Sequence, residues 1–329
     1  MDIQLNGYYD KNLGDDIMQR IVVRAFPQHT FYVKPAQREM MAHLENEPNV
    51  RYGTCKEVMV NVIGTGFLFN SKIAKVSRLL AKQGIKYRHC AVVDCSIELI
   101  NGKLSALFTR DALMKYSHIS CRDSYSYDFI CKSTKKKNVF NYPDIVFSEN
   151  VPKRHGNCLG IAPVHRLYKD VNYGYYKKLA AAADAFVEQY GNKVLLFALD
   201  NGAENDVSAC GSIKNMMTHS DYAEIVMYNS DIDYFYMRLA ECGKMISSRF
   251  HSAVLSLLAE IPLICISDTN KLRDLSNVFG MTYLNRNDDI APIIEFISND
   301  IDSVKIENTT KEAAEKHISA LDKWLKEIG

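Results

Sequence analysis

Gly243-Lys-Met-Ile-Ser-Ser-Arg-Phe-His-Ser-Ala-Val-Leu-Ser-Leu-Leu-Ala-Glu-Ile-Pro-Leu-Ile-Cys-Ile-Ser267 is the stretch whose reading decides the fold. Met245–Ile246 is a short apolar strand. Polar Ser247, Ser248, Arg249 and His251 follow, and Ala253, Val254, Leu257 and Leu258 then fall at helical spacing. Ile261 to Ile266 reads as the next strand, entered through Pro262. The unit is strand, loop, helix, strand, and between Met245 and Glu260 its charged and titratable groups all stand where the loop becomes the helix. At the carboxyl edge of a parallel sheet such a junction is where open α/β folds bind ligands, and the unpaired amides of a helix start favour an anion. An arginine beside a histidine there points to work on a phosphate or carboxylate. The plain alternative has Arg249 tethering a neighbouring loop and His251 capping the helix. It suits a lone histidine better than it suits Ser-Ser-Arg-x-His packed into one turn.

Outward from this unit, the 329 residues exceed what most single cores hold, so two domains are expected. The net charge of +1 excludes a general nucleic-acid footprint. Nine cysteines form no Cys-x-x-Cys pair and no Cys/His ligand spacing, and several lie inside apolar runs such as Leu263–Ile266, as buried free thiols of a reducing cytosol do. No basic segment followed by a hydrophobic one opens the chain, so no signal peptide is visible. The longest apolar stretch, Ala253–Ile266, is cut by Glu260 and Pro262 and falls short of the roughly 20 residues that span a bilayer. A soluble, cytoplasmic protein is expected.

The first half reads as alternating strands and helices. Asp2–Leu5 is a strand, followed by Gly7-Tyr-Tyr-Asp-Lys-Asn-Leu-Gly-Asp-Asp16 and a helix carrying Ile17, Ile21, Val22, Ala25 and Phe26. Acids in a first helical turn commonly complement the helix dipole, a reading stronger for Asp16 than for Asp15. Phe31–Val33 and the nearly continuous apolar run Val58–Ile63 are further strands, the second leading into Gly64-Thr65-Gly66 and a basic helix around Ser71–Lys82. Small residues there let a ligand approach backbone amides, although a tight turn explains them equally. Tyr87–Val93 is a strand, Ala106–Lys115 a helix, and Ile119-Ser-Cys-Arg122-Asp123-Ser-Tyr-Ser126 a strand running through a loop into a helix. Here an Arg122–Asp123 salt link competes evenly with ligand contact. The domain boundary falls in polar Glu149–Asn157.

The alternation restarts with strands at Cys158–Ala162, Lys193–Ala198 and Ala223–Met227 and helices at Tyr173–Tyr190, Asp206–Met217, Asp231–Cys242 and Leu272–Phe279. Two parallel-sheet α/β domains follow, residues 1–152 and 153–308. A last helix over 309–329, apolar at Ala313, Ile318, Leu321, Trp324, Leu325 and Ile328, is expected to cross back onto the first domain.

Asn12-Leu-Gly14-Asp15-Asp16, Gly64-Thr65-Gly66, Arg122-Asp123-Ser-x-Ser126, Pro143-Asp144 and Ser248-Arg249-Phe250-His251-Ser-Ala followed by Ile261-Pro262 resemble, in order and spacing, the polysaccharide pyruvyl transferases. The likeness runs over roughly residues 7–280, with the Arg-x-His block its most specific part and the glycine pair its least. Two positions depart from the family pattern, Thr65 where a third glycine is usual and Phe250 where leucine is usual. They bear on pocket shape rather than reaction type. The resemblance implies two Rossmann-like lobes facing across a cleft, as in GT-B glycosyltransferases. It also implies transfer of pyruvate from phosphoenolpyruvate to two hydroxyls of a sugar as a cyclic ketal, in bacterial-type surface polysaccharide synthesis, without metal or nucleotide cofactor.

Under that reading the donor sits on the second domain and the acceptor on the first. A compact polyanion needs fixed cations, and arginine pairs with phosphate or carboxylate through two parallel hydrogen bonds. Arg249 and Arg122 come first, then Arg166, with Lys271 and Ser248 as further contacts. His251 is expected to protonate the vinyl carbon, and Asp15 to accept the proton of the attacking hydroxyl, with Asp16 as fallback. Asn12 and Gly14, with the amides of Gly64, Thr65 and Gly66, complete the set. The acceptor's carrier, whether nucleotide, lipid diphosphate or polymer, leaves no pattern in the sequence, and neither does oligomeric state. For a lipid-linked acceptor, the Lys132–Lys137 run would touch the membrane surface or a diphosphate. Two rivals share the fold: a glycosyltransferase whose Glu204 or Asp206 holds a nucleotide ribose, and a sugar-binding protein without catalysis.

Overall fold

A computed structural model describes residues 1–8, 10–64, 87–97, 109–165, 169–202 and 204–329, with the backbone alone over 169–172. The expected basic helix around Ser71–Lys82, Thr65, Gly66 and Arg166 lie outside the described residues. The chain divides into two compact units, one of residues 1–9, 14–149 and 307–329, the other of residues 10–13 and 150–306. The final helix thus belongs to the first unit, and the short segment 10–13 to the second.

Among the described residues of the first unit seven parallel strands run in the order β3-β2-β1-β4-β5-β6-β7. They are β1 (Asp2–Gly7), β2 (Thr30–Val33), β3 (Val50–Tyr52), β4 (Val58–Val62), β5 (His89–Cys95), β6 (His118–Cys121) and β7 (Val139–Asn141). All of β4 is buried, as suits the nearly continuous apolar Val-Met-Val-Asn-Val of a strand covered on both faces, its one polar residue, Asn61, being bonded to Asn6 and Tyr116. Helix α1 (Leu13–Ala25) follows β1, and α2 (Ser124–Thr134) follows β6. Asp123 caps α2, accepting from the Ser126 amide and hydroxyl at 2.7 Å each. It is therefore engaged with its own helix.

The second unit repeats the plan with six parallel strands ordered β10-β9-β8-β11-β12-β13. These are β8 (Cys158–Ala162), β9 (Val194–Ala198), β10 (Ala223–Met227), β11 (Cys242–Ser247), β12 (Leu263–Ile266) and β13 (Thr282–Leu284). Helices α3 (Lys169–Tyr190), α4 (Asp206–Met216), α5 (Ile232–Ala240), α6 (Phe250–Leu258), α7 (Asn270–Phe279) and α8 (Ala291–Ser298) connect or flank them. Alternation along β9 sends Val194, Leu196 and Ala198 into a core with Leu179, Ala183 and Phe186 of α3. Phe197 points the other way, 5.2 Å from the Phe235 ring of α5.

Most boundaries shift by a few residues from the sequence reading, and one shift bears on β11. The helix expected to reach Cys242 ends at Ala240 with Glu241 as its cap, and Cys242 already begins β11, with a register shift between Cys242 and Lys244. Lys244 hides the strand because its ammonium turns to carbonyls at the end of α8, those of Phe296 at 3.2 Å and Asn299 at 2.7 Å, with Ile297 beside them.

In both sheets the order reverses beside the first strand, between β1 and β4 in one unit and β8 and β11 in the other. These are the switch points at which doubly wound sheets leave a crevice outside the strand carboxyl ends. Asp15 and Gly64 stand at the first; Ser248, Arg249 and His251 stand at the second.

Candidate active site

The turn after β11 is held by its serines. Ser247 and Ser252, both buried, each donate a hydroxyl to the Arg249 carbonyl at 2.8 Å. The Ser248 amide donates to Ala162 O of β8 at 2.9 Å, and its hydroxyl is 2.5 Å from that of Tyr175 on α3. Arg249 takes the N-cap position of α6 in extended conformation, and half-buried His251 follows in the first turn, its ring edge-on to Phe250 at 5.3 Å. Small hydroxyl side chains at 247, 248 and 252 thus let the backbone bond to itself and to β8, with the guanidinium and imidazole carried on a rigid frame.

Arg249 is not left to solvent. Its two terminal nitrogens donate to Glu204 Oε2 and Asp206 Oδ1. Its Nε is buried and makes no hydrogen bond among the described residues. Asp206, at the start of α4, is completely buried and also accepts from the Asp200 amide at 3.0 Å and the His165 amide at 3.4 Å. Burial pushes the Asp206 carboxyl up despite Arg249, while Asp206 and Glu204 together outweigh the burial that disfavours the Arg249 cation and raise its pKa. Asp200 in turn accepts from Gly202 N at 2.9 Å and from Asn12 Nδ2 at 3.1 Å. Asn12 therefore belongs to the framework behind Arg249.

Sequence reasoning missed these partners, and it missed Arg286. This buried arginine lies 4.6 Å over the Tyr175 ring, with Asp268 3.4 Å from its Nε. Tyr175 joins it to Ser248. Lys271 is half-buried at the second position of α7.

In the first unit the Gly64 amide donates to Asp15 Oδ1 at 3.3 Å. A Cβ at Gly64 would lie 2.8 Å from Met18 Cε and 3.0 Å from Arg122 Nη1, so a larger residue would have to push those side-chain ends aside. Gly14 is buried in the first turn of α1. Asp16, named as a fallback base, is wholly buried 3.2 Å from His43 Nδ1, an internal pair that closes it off from a hydroxyl in solvent.

Arg122 departs from the expected role of open anion ligand. Its side chain is 5% exposed, bonded to Asp144 at 2.6 Å and 3.8 Å from Asp94. Burial opposes its charge, and Asp144 and Asp94 overcome that and raise its pKa. Burial, with Asp144 nearby, pushes the Asp94 carboxyl up. Asp94 Oδ1 lies 3.2 Å from His317 Nε2, which also faces Pro143 O at 3.0 Å. With acceptors on both sides, that nitrogen carries a proton. His317 Nδ1 is 2.7 Å from Ser120 Oγ. It comes from the last helix, α9 (Asn308–Ile328), anchored in this unit by buried Leu321 and Leu325 and by Trp324 Nε1, which donates to Ser117 Oγ at 3.1 Å.

In the basic run, Lys136 Nζ donates to Met114 O at 3.0 Å and Tyr116 O at 2.6 Å, so it serves the unit rather than a surface. Among the described residues no helix is long and apolar enough to cross a membrane, and no group of three or more His, Cys, Asp or Glu could hold a metal.

A family model of polysaccharide pyruvyl transferases matches residues 12–270. The chain belongs to this family. The matched span runs from Asn12 to the start of α7, so it includes Asp15, Gly64 and the Arg249–His251 turn. No curated protein matches this family member. Among solved structures, a UDP-GlcNAc 2-epimerase from Methanocaldococcus jannaschii aligns with TM-score 0.64 at 10% identity, over 98% of this chain and 100% of its own. A putative UDP-N-acetylglucosamine 2-epimerase from Listeria monocytogenes gives TM-score 0.63 at 10% identity, over 99% and 96%. One from Rickettsia bellii gives 0.62 at 9%, over 100% and 98%. At such identities the likeness is one of fold, that of the GT-B group.

Proposed function

We propose that this pyruvyl transferase family member moves the pyruvate unit of phosphoenolpyruvate onto two hydroxyls of a sugar as a cyclic ketal, releasing phosphate, in the synthesis of a surface polysaccharide. The observation that carries this is the placement of Arg249 and His251 in one turn at the second switch point, in a chain of this family. Arg249 holds the donor's anionic end. His251 gives a proton to the vinyl carbon, leaving C2 electron-poor, and the first sugar hydroxyl adds there as its proton passes to Asp15. The C2–O bond to phosphate then breaks, and the second hydroxyl closes the ketal. One of the two hydroxyl protons makes good the proton that His251 gave to the new methyl group, and the other passes on to the departing phosphate, so that Asp15 and His251 return to their starting states. Asp15 is assigned because its carboxylate stands at the switch point of the first unit, whereas Asp16 is closed off by His43.

The nucleotide-sugar alternative relied on Glu204 or Asp206 to hold a ribose. Both carboxylates are engaged with Arg249, which weighs against it. The test is calorimetric titration of phosphoenolpyruvate and of UDP-GlcNAc, together with phosphate release in the presence of lipid-linked and nucleotide-linked saccharides. Phosphoenolpyruvate binding that weakens about tenfold to a hundredfold in Arg249→Lys supports the assignment, since a point charge replaces a two-pronged donor. Turnover of UDP-GlcNAc without phosphoenolpyruvate binding overturns it.

A further inference from the structure

The two carboxylates on Arg249 are not equivalent. Asp206 is completely buried and is bonded by two backbone amides besides the guanidinium, so it cannot leave without exposing three donors. The Glu204 side chain is 52% exposed, and its carboxylate has Arg249 as its hydrogen-bond partner. It lies in the loop between β9 and α4, where Asn205 adopts a left-handed conformation at φ 46°. Gly202 of the same loop meets Asp10 so closely that a Cβ would fall 2.2 Å from its carboxylate.

The charge at this turn is one cation against two anions. Phosphoenolpyruvate adds a phosphate and a carboxylate to it. A third carboxyl or phosphoryl group on the same guanidinium would crowd against both residents, one on each terminal nitrogen, with a single positive charge to offset three anionic groups. That repulsion favours release of one resident, and burial selects Glu204.

Building on the assignment of Arg249 as donor ligand, we propose that Glu204 is a further residue of the donor site, an internal competitor that weakens the binding of every anion taking Arg249. Its carboxylate holds the donor's place on Arg249 and swings into solvent when the donor binds, while Asp206 stays as the positioning residue that aims the guanidinium. An internal competitor of this kind sets a threshold. A ligand with one anionic group, such as inorganic phosphate, gains only what Glu204 gives up, whereas phosphoenolpyruvate brings a second group to offset the exchange.

The experiment is titration calorimetry of phosphoenolpyruvate and of inorganic phosphate into the full chain and its Glu204→Gln, Glu204→Ala and Arg249→Lys variants. Relieving an exposed ion pair is expected to tighten phosphoenolpyruvate by about two- to fivefold. Inorganic phosphate has to displace the same carboxylate and should tighten by about the same factor in both Glu204 variants. Unchanged or weaker phosphoenolpyruvate binding in both variants, alongside strong weakening in Arg249→Lys, overturns the role of Glu204 and leaves Arg249 as donor ligand. Unchanged binding in Arg249→Lys overturns the donor-site assignment on which both rest. Should Glu204→Gln misfold, the alanine variant gives the same comparison.

Discussion

Replacing Arg249 with methionine keeps the length and much of the apolar stem of the side chain and deletes its charge. Asp206 then remains in the interior, with 0% of its side chain exposed and no cation beside it. Removing one partner of a buried pair costs about 3–5 kcal/mol, because the abandoned charge stays desolvated. Glu204, 52% exposed, turns to water and adds under about 1 kcal/mol. Asp206→Asn in the Arg249→Met background should therefore recover part of the loss, since it removes the buried charge while its one amide oxygen keeps the shorter bond from the Asp200 amide and gives up the longer one from His165; Glu204→Gln should recover little. The pH dependence has a definite sign. Burial already raises the folded-state pKa of Asp206 above its unfolded value, so the folded chain takes up that proton first. Stability from this group is full below the unfolded value and is lost as pH rises through the folded one. The deficit of Arg249→Met is thus largest at neutral pH and shrinks on acidification toward the ordinary carboxylate range. Urea titrations followed by far-UV circular dichroism measure this. A deficit under about 1 kcal/mol, or no rescue by Asp206→Asn, would refute the reasoning.

His251→Ala should lower turnover by about 10²–10⁴-fold while phosphoenolpyruvate titration stays near wild type; near-normal turnover would remove His251 from the chemistry. Asp15→Asn should lower turnover without shifting donor affinity, and an unchanged rate would point to another base. His317→Ala opens a cavity and takes the imidazole away from Ser120 Oγ and buried Asp94, so thermal unfolding should show a loss of about 2–4 kcal/mol. A loss within error would mean that α9 is held by Trp324, Leu321 and Leu325 alone.

Most of the alternation was legible because buried parallel strands such as Val194–Ala198, and Val58–Val62 apart from Asn61, are apolar runs. The three-residue strands Val50–Tyr52 and Thr282–Leu284 were not, since each lies at a sheet edge where pairing on one side makes no such demand. The Arg249–His251 turn was legible from its spacing, because consecutive residues of one turn stay together in any fold. Its partners were not. Glu204 and Asp206 meet Arg249 only because β9 and β11 flank β8, and nothing in the intervening residues encodes that adjacency. Arg122 shows the same limit. Adjacent Asp123 looked like its counter-ion, yet an extended N-cap aims that carboxylate at Ser126, and the charge is met by Asp144 and Asp94 from elsewhere in the unit. The Pro143-Asp144 pair was visible as a motif, but its role required the sheet.

A crystal structure of the full chain with phosphoenolpyruvate bound bears most directly on the proposed chemistry. The donor is expected at the Ser248–His251 turn, one of its anionic groups on Arg249, its vinyl carbon within reach of the His251 ring, and the Glu204 carboxylate displaced. Density for the donor elsewhere, with Arg249 still clasped by both Glu204 and Asp206, would contradict it.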